Sequence, residues 1–211
     1  LKTPSGKIEI FSKKIKSFNY INCPPHPSWL EPKEWLGKKR NVYKFHLLSN
    51  QPREKLHSQY DHGSVSKALK VKKRQTIIIN FDDAKKLKIK NKDTIKVFNK
   101  RGACICSAII SKSLLKGVLI IPTGAWFDPL HISDKKLTCN HGNPNILTPD
   151  IGTSDLAQGP SAHSCLVNIK KINNETLNKP QVFNPPKINT FSNYKRRLVS
   201  KLNGSKEIKK S

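Results

Sequence analysis

Between residues 42 and 172 the chain repeats one pattern: short runs rich in Val, Ile and Leu, each broken by a polar or turn-forming cluster. "VYKFHLLS" is a strand ending in polar residues, and "QTIIINFDDAKKLKI" is a strand that runs into a short helix, with Asn80 and Asp82 as N-cap candidates. "DTIKVFNKRGACICSAII" reads as two strands joined by a hairpin at Asn99–Gly102. "GVLIIPTGAWFDP" and "SCLVNIKKI" complete the set. At least five strands with one or two short helices predict a compact, mostly β barrel.

The flanks differ in texture. Over residues 1–41, "TPSGKIEIFS" predicts a turn followed by a short alternating strand, while "NCPPHPSWLEPKEWLG" holds too many prolines for a helix. After Asn173 the chain turns to Asn, Lys, Pro and Ser, which predicts a basic, extended or flexible tail over 173–211 with one helical turn near Tyr194. No stretch approaches the ~18 apolar residues of a membrane span, and "LKTPSGKIEI" lacks the apolar core of a signal peptide. The absence of an initiating Met reads as a piece of something longer.

Charge narrows the function classes less than its size suggests. The formal net charge of +26 admits nucleic acid or an anionic surface as partner. The lysines, however, are spread along the chain without interleaved aromatics, and they accompany many Asn and Ile, which favours a solvated surface over a specific nucleic-acid site. Of five cysteines, Cys104 and Cys106 share one strand face; together with Cys139 and His141 they match none of the usual zinc spacings, so no metal site is expected.

One stretch stands apart. "NILTPDIGTSDLAQGPSAHS", residues 145–164, carries no Lys or Arg and is dominated by small and hydroxyl-bearing residues. Composition alone favours a surface loop; close approach of backbone to a ligand is the alternative.

Taken together, "TPSGKIEIFS", "LLSNQPREKLHSQYDHG", "INFDDAKKLKIKNKDTIKVFNKRGA", "GVLIIPTGAWFDP" and "HGNPNILTPDIGTSDLAQGPSAHSCLVNI" resemble, in order, the C-terminal region of molybdopterin-dependent oxidoreductases. The branch is that of the dimethyl-sulfoxide, trimethylamine-N-oxide and biotin-sulfoxide reductases. The resemblance implies a six-stranded double-psi β-barrel over 42–172 that binds the molybdopterin dinucleotide. Residues 1–41 would end the preceding catalytic domain. The implied cofactor is bis(molybdopterin guanine dinucleotide) molybdenum, and the implied activity is oxygen-atom transfer from a small S-oxide or N-oxide.

It further implies that Ser49, Asn50, Gln51 and Pro52, then His57, Ser58 and Gln59, touch the cofactor. Lys55 falls where the family often has Arg, keeping the charge without the bidentate fork. Asn145 would contact the cofactor through its amide, and Gln158 and Gly159 are the contacts expected within the small-residue stretch. Thr153 and Ser154 read equally well as helix caps. The family's metal ligand, a serine in this branch, and its substrate funnel lie in the large N-terminal portion, so no catalytic residue is assigned here. Alone, the chain is expected to bind the cofactor weakly or not at all. The resemblance suggests the bacterial periplasm, with the cytoplasm as alternative, and allows an electron-donor protein as partner. The rival readings are a stand-alone double-psi barrel module and a basic nucleic-acid-binding protein.

Overall fold

A computed structural model describes residues 1–130, 137–173, 175, 177–182 and 184. Among these residues eight strands form a single hydrogen-bonded sheet: β1 Phe45–Leu48, β2 Thr76–Asn80, β3 Thr94–Phe98, β4 Ala103–Ser111, β5 Val118–Ile120, β6 Pro129–Leu130, β7 Thr138–Cys139 and β8 Leu166–Lys171. The order β2-β5-β1-β8-β3-β4, with a further parallel pairing of β4 to β2, closes a barrel of six strands. β7 adds in parallel to the start of β4, and β6 pairs antiparallel with β7. This is the mostly β, double-psi barrel that the resemblance implied. Closure leaves no free edge among the six strands.

The runs alternate as a barrel wall requires. Ile77 and Ile79 of β2, Ile95 and Val97 of β3 and Leu47 of β1 are fully buried, because successive side chains point to opposite faces. Cys104, Cys106, Cys139 and Cys165 are buried free thiols in or beside this core. The expected hairpin is present: β3 and β4 pair antiparallel up to Phe98↔Ala103, and Asn99 N donates to Gly102 O at 3.0 Å.

Among the described residues three short helices accompany the strands: α1 Lys13–Ser17, α2 Ser64–Leu69 and α3 Phe81–Lys86. Of the two N-cap candidates for α3, Asn80 takes the position, its Oδ1 accepting from the amides of Asp82 and Asp83 at 2.8 and 3.2 Å. Asp82 instead lies in the first turn, paired with Lys116. The strand predicted within "TPSGKIEIFS" does not form: residues 7–11 find no partner strand among the described residues, and Ile8 and Ile10 stand exposed. An alternating pattern needs a neighbour to accept its hydrogen bonds.

Apart from α1, residues 1–41 are irregular but tied to the barrel. Arg101 grips Glu34 through two hydrogen bonds of 2.6 and 2.9 Å, and Glu34 Oε2 also accepts from Leu166 N at 2.9 Å. Burial opposes ionisation of Glu34, yet these bonds hold its carboxyl below the usual range. Beyond β8, Asn178 O accepts from Arg74 and from Asn140, and Gln181 N donates to Asp128, so this part of the tail lies against the barrel. The helical turn expected near Tyr194 lies outside the described residues.

Candidate functional site

β1 delivers the chain to a long polar loop, 49–61, and β5 delivers it to a second loop, 121–128, beside the first. β1 and β5 run parallel with Leu48 opposite Ile120, so both loops leave from the same end of the barrel. Ile121 N donates to Leu48 O at 3.0 Å and Thr123 N to Asn50 O at 2.9 Å, continuing the pairing past the strands. Gly124 then crosses directly over the first loop, at φ +85. The Trp126 indole N–H donates to Ser58 O at 2.8 Å, and its ring lies against His62.

Within the first loop, exposure sorts the expected residues. Asn50, Gln51, His57, Ser58 and Gln59 are exposed, while Ser49, Pro52 and Lys55 are buried. Gln51 Nε2 donates to Lys55 O at 2.6 Å, which curls the loop. His57 and Tyr60 adopt positive φ, turning the chain so that successive side chains project outward. Ser49 Oγ is buried and has no hydrogen-bond partner among the described residues, an unusual state for a buried hydroxyl.

Lys55 sits apart from its neighbours. Its Nζ donates to Asp61 Oδ1 at 2.7 Å and to Gln75 Oε1 at 2.9 Å, with the side chain wholly enclosed. Lys70 Nζ reaches the same two acceptors at 2.7 and 3.2 Å. Asp61 Oδ2 accepts from Trp126 N at 3.0 Å. Burial disfavours the Asp61 carboxylate, but the bonds from Lys55, Lys70 and Trp126 outweigh it and hold the carboxyl below its ordinary range. Sequence reasoning did not single out Asp61, Lys70, Gln75 or Trp126 for this place. "QYDHG" carried Asp61 within a quoted motif, but its burial was not legible.

His141 is buried beside this cluster, Nδ1 lying 2.9 Å from Trp126 O and 3.7 Å from Asp61 Oδ2. Burial, reinforced by Lys70, pushes its pKa down to about 4 against the partial opposition of Trp126 O and Asp61. Its depressed pKa means that the unfolded chain takes up the proton first, so stability present at neutral pH falls between pH 6.5 and about 4. From pH 7 to 5 the loss from this group is about 2 kcal/mol. Urea midpoints at the two pH values measure it, and in His141→Asn the pH-dependent part contributed by this group should vanish.

The small-residue stretch forms a compact turn of its own. Gly152 bridges to Pro160, Thr153 N donates to Gly159 O, and Thr153 Oγ1 donates to Ala157 O at 2.7 Å. Ser154 Oγ accepts from Ala157 N at 3.1 Å. Thr153 and Ser154 therefore cap a turn, not a helix. Gln158 is exposed, its Nε2 donating to Ser154 O at 2.7 Å. A Cβ at Gly159 would meet only Thr153, at 3.6 Å, so the backbone there is open to approach. Asn145 is exposed in a 3-10 turn, Pro144–Ile146, capped by Asn143. The structure joins the 49–61 and 121–128 loops directly, whereas the 152–160 turn is anchored to the N-terminal segment through Asp155 N and Asn22 Oδ1.

Neutral amides, hydroxyls and an imidazole on an exposed rim, with a buried cationic cluster beneath, suit a ligand rich in polar groups and negative charge. Residues 45–166 match the family described as Molydopterin dinucleotide binding domain. The chain is 44% identical over 170 residues to a biotin sulfoxide reductase of Cereibacter sphaeroides, covering 81% of this chain and 22% of that protein. It is 40% identical over 172 residues to a trimethylamine-N-oxide reductase of Haemophilus influenzae, covering 81% and 21%. The chain thus spans about a fifth of the length of the curated relatives it matches. Among solved structures, acetylene hydratase from Pelobacter acetylenicus superposes with a TM-score of 0.63 at 18% identity, over 81% of this chain and 24% of that one. That likeness speaks for the fold.

Proposed function

The chain belongs to the Molydopterin dinucleotide binding domain family, and on that premise we propose that it forms the C-terminal, cofactor-holding side of a molybdenum-dependent S-oxide or N-oxide reductase. The observation that carries this reading is the rim at the β1 and β5 ends: exposed Asn50, Gln51, His57, Ser58 and Gln59, in the same loop as the buried Ser49 Oγ, which has no partner among the described residues. A buried hydroxyl without a partner costs about 1–3 kcal/mol, which a polar ligand at the rim would offset. The residues present fit the group.

When bound, the molybdenum cofactor, in its bis(molybdopterin guanine dinucleotide) form, supplies the two-electron chemistry of oxygen-atom transfer. This chain's residues hold and orient. Ser49 Oγ, the Asn50, Gln51 and Gln59 amides, the Ser58 hydroxyl and the His57 ring offer donors and acceptors, and Pro52 stiffens the rim. Lys55 acts from beneath, since its Nζ is committed to Asp61 and Gln75; it adds positive potential without direct contact. Asn145 and Gln158 add amides, and the open backbone at Gly159 permits close approach. The 1–41 segment would end a preceding catalytic domain, a role supported by its exposed Ile8, Ile10, Ile21 and Trp29, because apolar surface of this kind marks contact with a partner or another domain. A periplasmic setting and an electron-donor protein belong to the same reading. No helix of the described residues is long and apolar enough to cross a membrane.

Ser49→Ala tests it with opposite signs. In the cofactor-free chain the change should be neutral or stabilising by up to about 1 kcal/mol, because it removes an unsatisfied buried hydroxyl. In the full-length protein it should lower molybdenum per chain, as should Asn145→Ala and Gln158→Ala. Full metal loading in all three would defeat the reading.

A further inference from the structure

The carboxylate of Asp61 stands where four segments meet. Lys55 comes from the rim loop, Lys70 from the end of α2, Gln75 from the residue before β2, and Trp126 from the crossing loop after β5. Two ammonium groups face each other across two acceptors, Asp61 Oδ1 and Gln75 Oε1, with all four contacts between 2.7 and 3.2 Å. The second carboxylate oxygen takes the Trp126 amide at 3.0 Å. Asp61 is fully buried. A carboxylate is the group this place demands. Both of its oxygens accept, whereas an amide would have to turn a donor toward either the lysines or the Trp126 N–H. Without the negative charge, the two buried ammonium groups would lose the one anion they share.

We propose that Asp61 is a positioning residue, whose carboxylate locks the 49–60 loop against the 123–127 loop and so sets the shape of the cofactor-facing rim before any ligand arrives. This rests on the reading above for what the rim binds, but not for the lock itself. The locked parts are those that touch across the crossing: Gly124 over His57, the Trp126 indole on Ser58 O, and Thr123 on Gln51. Lys70 and Gln75 support the rim from outside it.

The test is Asp61→Asn in the full-length protein, read by amide hydrogen exchange and by the Trp126 indole N–H resonance. Exchange at 56–60 and 125–126 should rise about tenfold or more while β2 and β4 keep their protection. The indole resonance should move toward that of a free indole. Lys70→Gln, a milder loss of one arm, should raise exchange in the same two segments by about threefold, and it decides the matter if Asp61→Asn does not fold. Loop exchange within about twofold of the parent, or an equal rise throughout β2 and β4, overturns the proposal. Molybdenum content separates the two readings: a loosened loop with full metal loading upholds the lock and counts against the cofactor site. An unchanged loop sinks the lock whatever the metal content.

Discussion

Gly124→Ala should cost about 3 kcal/mol or more and, on the function proposed above, lower molybdenum content in the full-length protein. A Cβ at this position would lie 1.5 Å from His57 O and 2.4 Å from His57 C, so no rotamer change can relieve it. The obstacle is backbone, and the backbone belongs to the rim loop. The φ of +85 adds a conformational penalty for any L side chain. Either the 121–128 loop lifts away, breaking the Trp126 contacts to Ser58 and Asp61, or His57 and Ser58 are displaced. Both outcomes deform the rim while leaving the core strands in place. Urea unfolding, circular dichroism and molybdenum content on one preparation distinguish a deformed rim from a lost fold. Wild-type stability with full loading would mean that the two loops do not cross as described.

Arg74→Ala should be comparably severe, at about 3 kcal/mol. The guanidinium is almost completely buried, with Nε 3.1 Å from Asn140 O, Nη2 2.9 Å from Asn140 Oδ1 and 3.0 Å from Asn178 O. Truncation leaves a cavity and takes the Arg74 donors from Asn140 O and Oδ1, while Asn178 O keeps the Asn140 amide. It also removes one of three holds on the segment around Asn178, so protease sensitivity there should rise before the barrel unfolds. Arg74→Lys keeps the charge but cannot reproduce the fork, and should fall between the two. An Arg74→Ala protein with an unchanged urea midpoint and an unchanged cleavage pattern would refute the account.

The two predictions differ in how much of their basis was visible along the chain. The strands of the barrel, the Asn99–Gly102 hairpin and the Asn80 cap were legible because their causes are local: a period of two, a turn of four residues, an amide three positions ahead of the N–H it accepts from. The family resemblance was legible for a similar reason, since it rests on contiguous motifs, and it correctly pointed to a closed barrel. Where a local pattern lacked a partner, as at Ile8 and Ile10, the strand did not form.

Composition and order in the chain thus determined that this protein is a small β-barrel with polar clusters at its strand ends, and which clusters to suspect. Only the tertiary structure decided what each polar side chain faces. Lys55 and His57 are two residues apart, yet one is enclosed and the other exposed. The difference is set by Asp61 and Gln75 beneath the loop and by Gly124 above it. The deciding contacts join residues far apart in sequence: Asp61 and Trp126 are 65 positions apart, Arg74 and Asn140 are 66, and Glu34 and Leu166 are 132. The free energy of burying a charge depends on the partners that surround it, and those partners assemble only when the barrel closes.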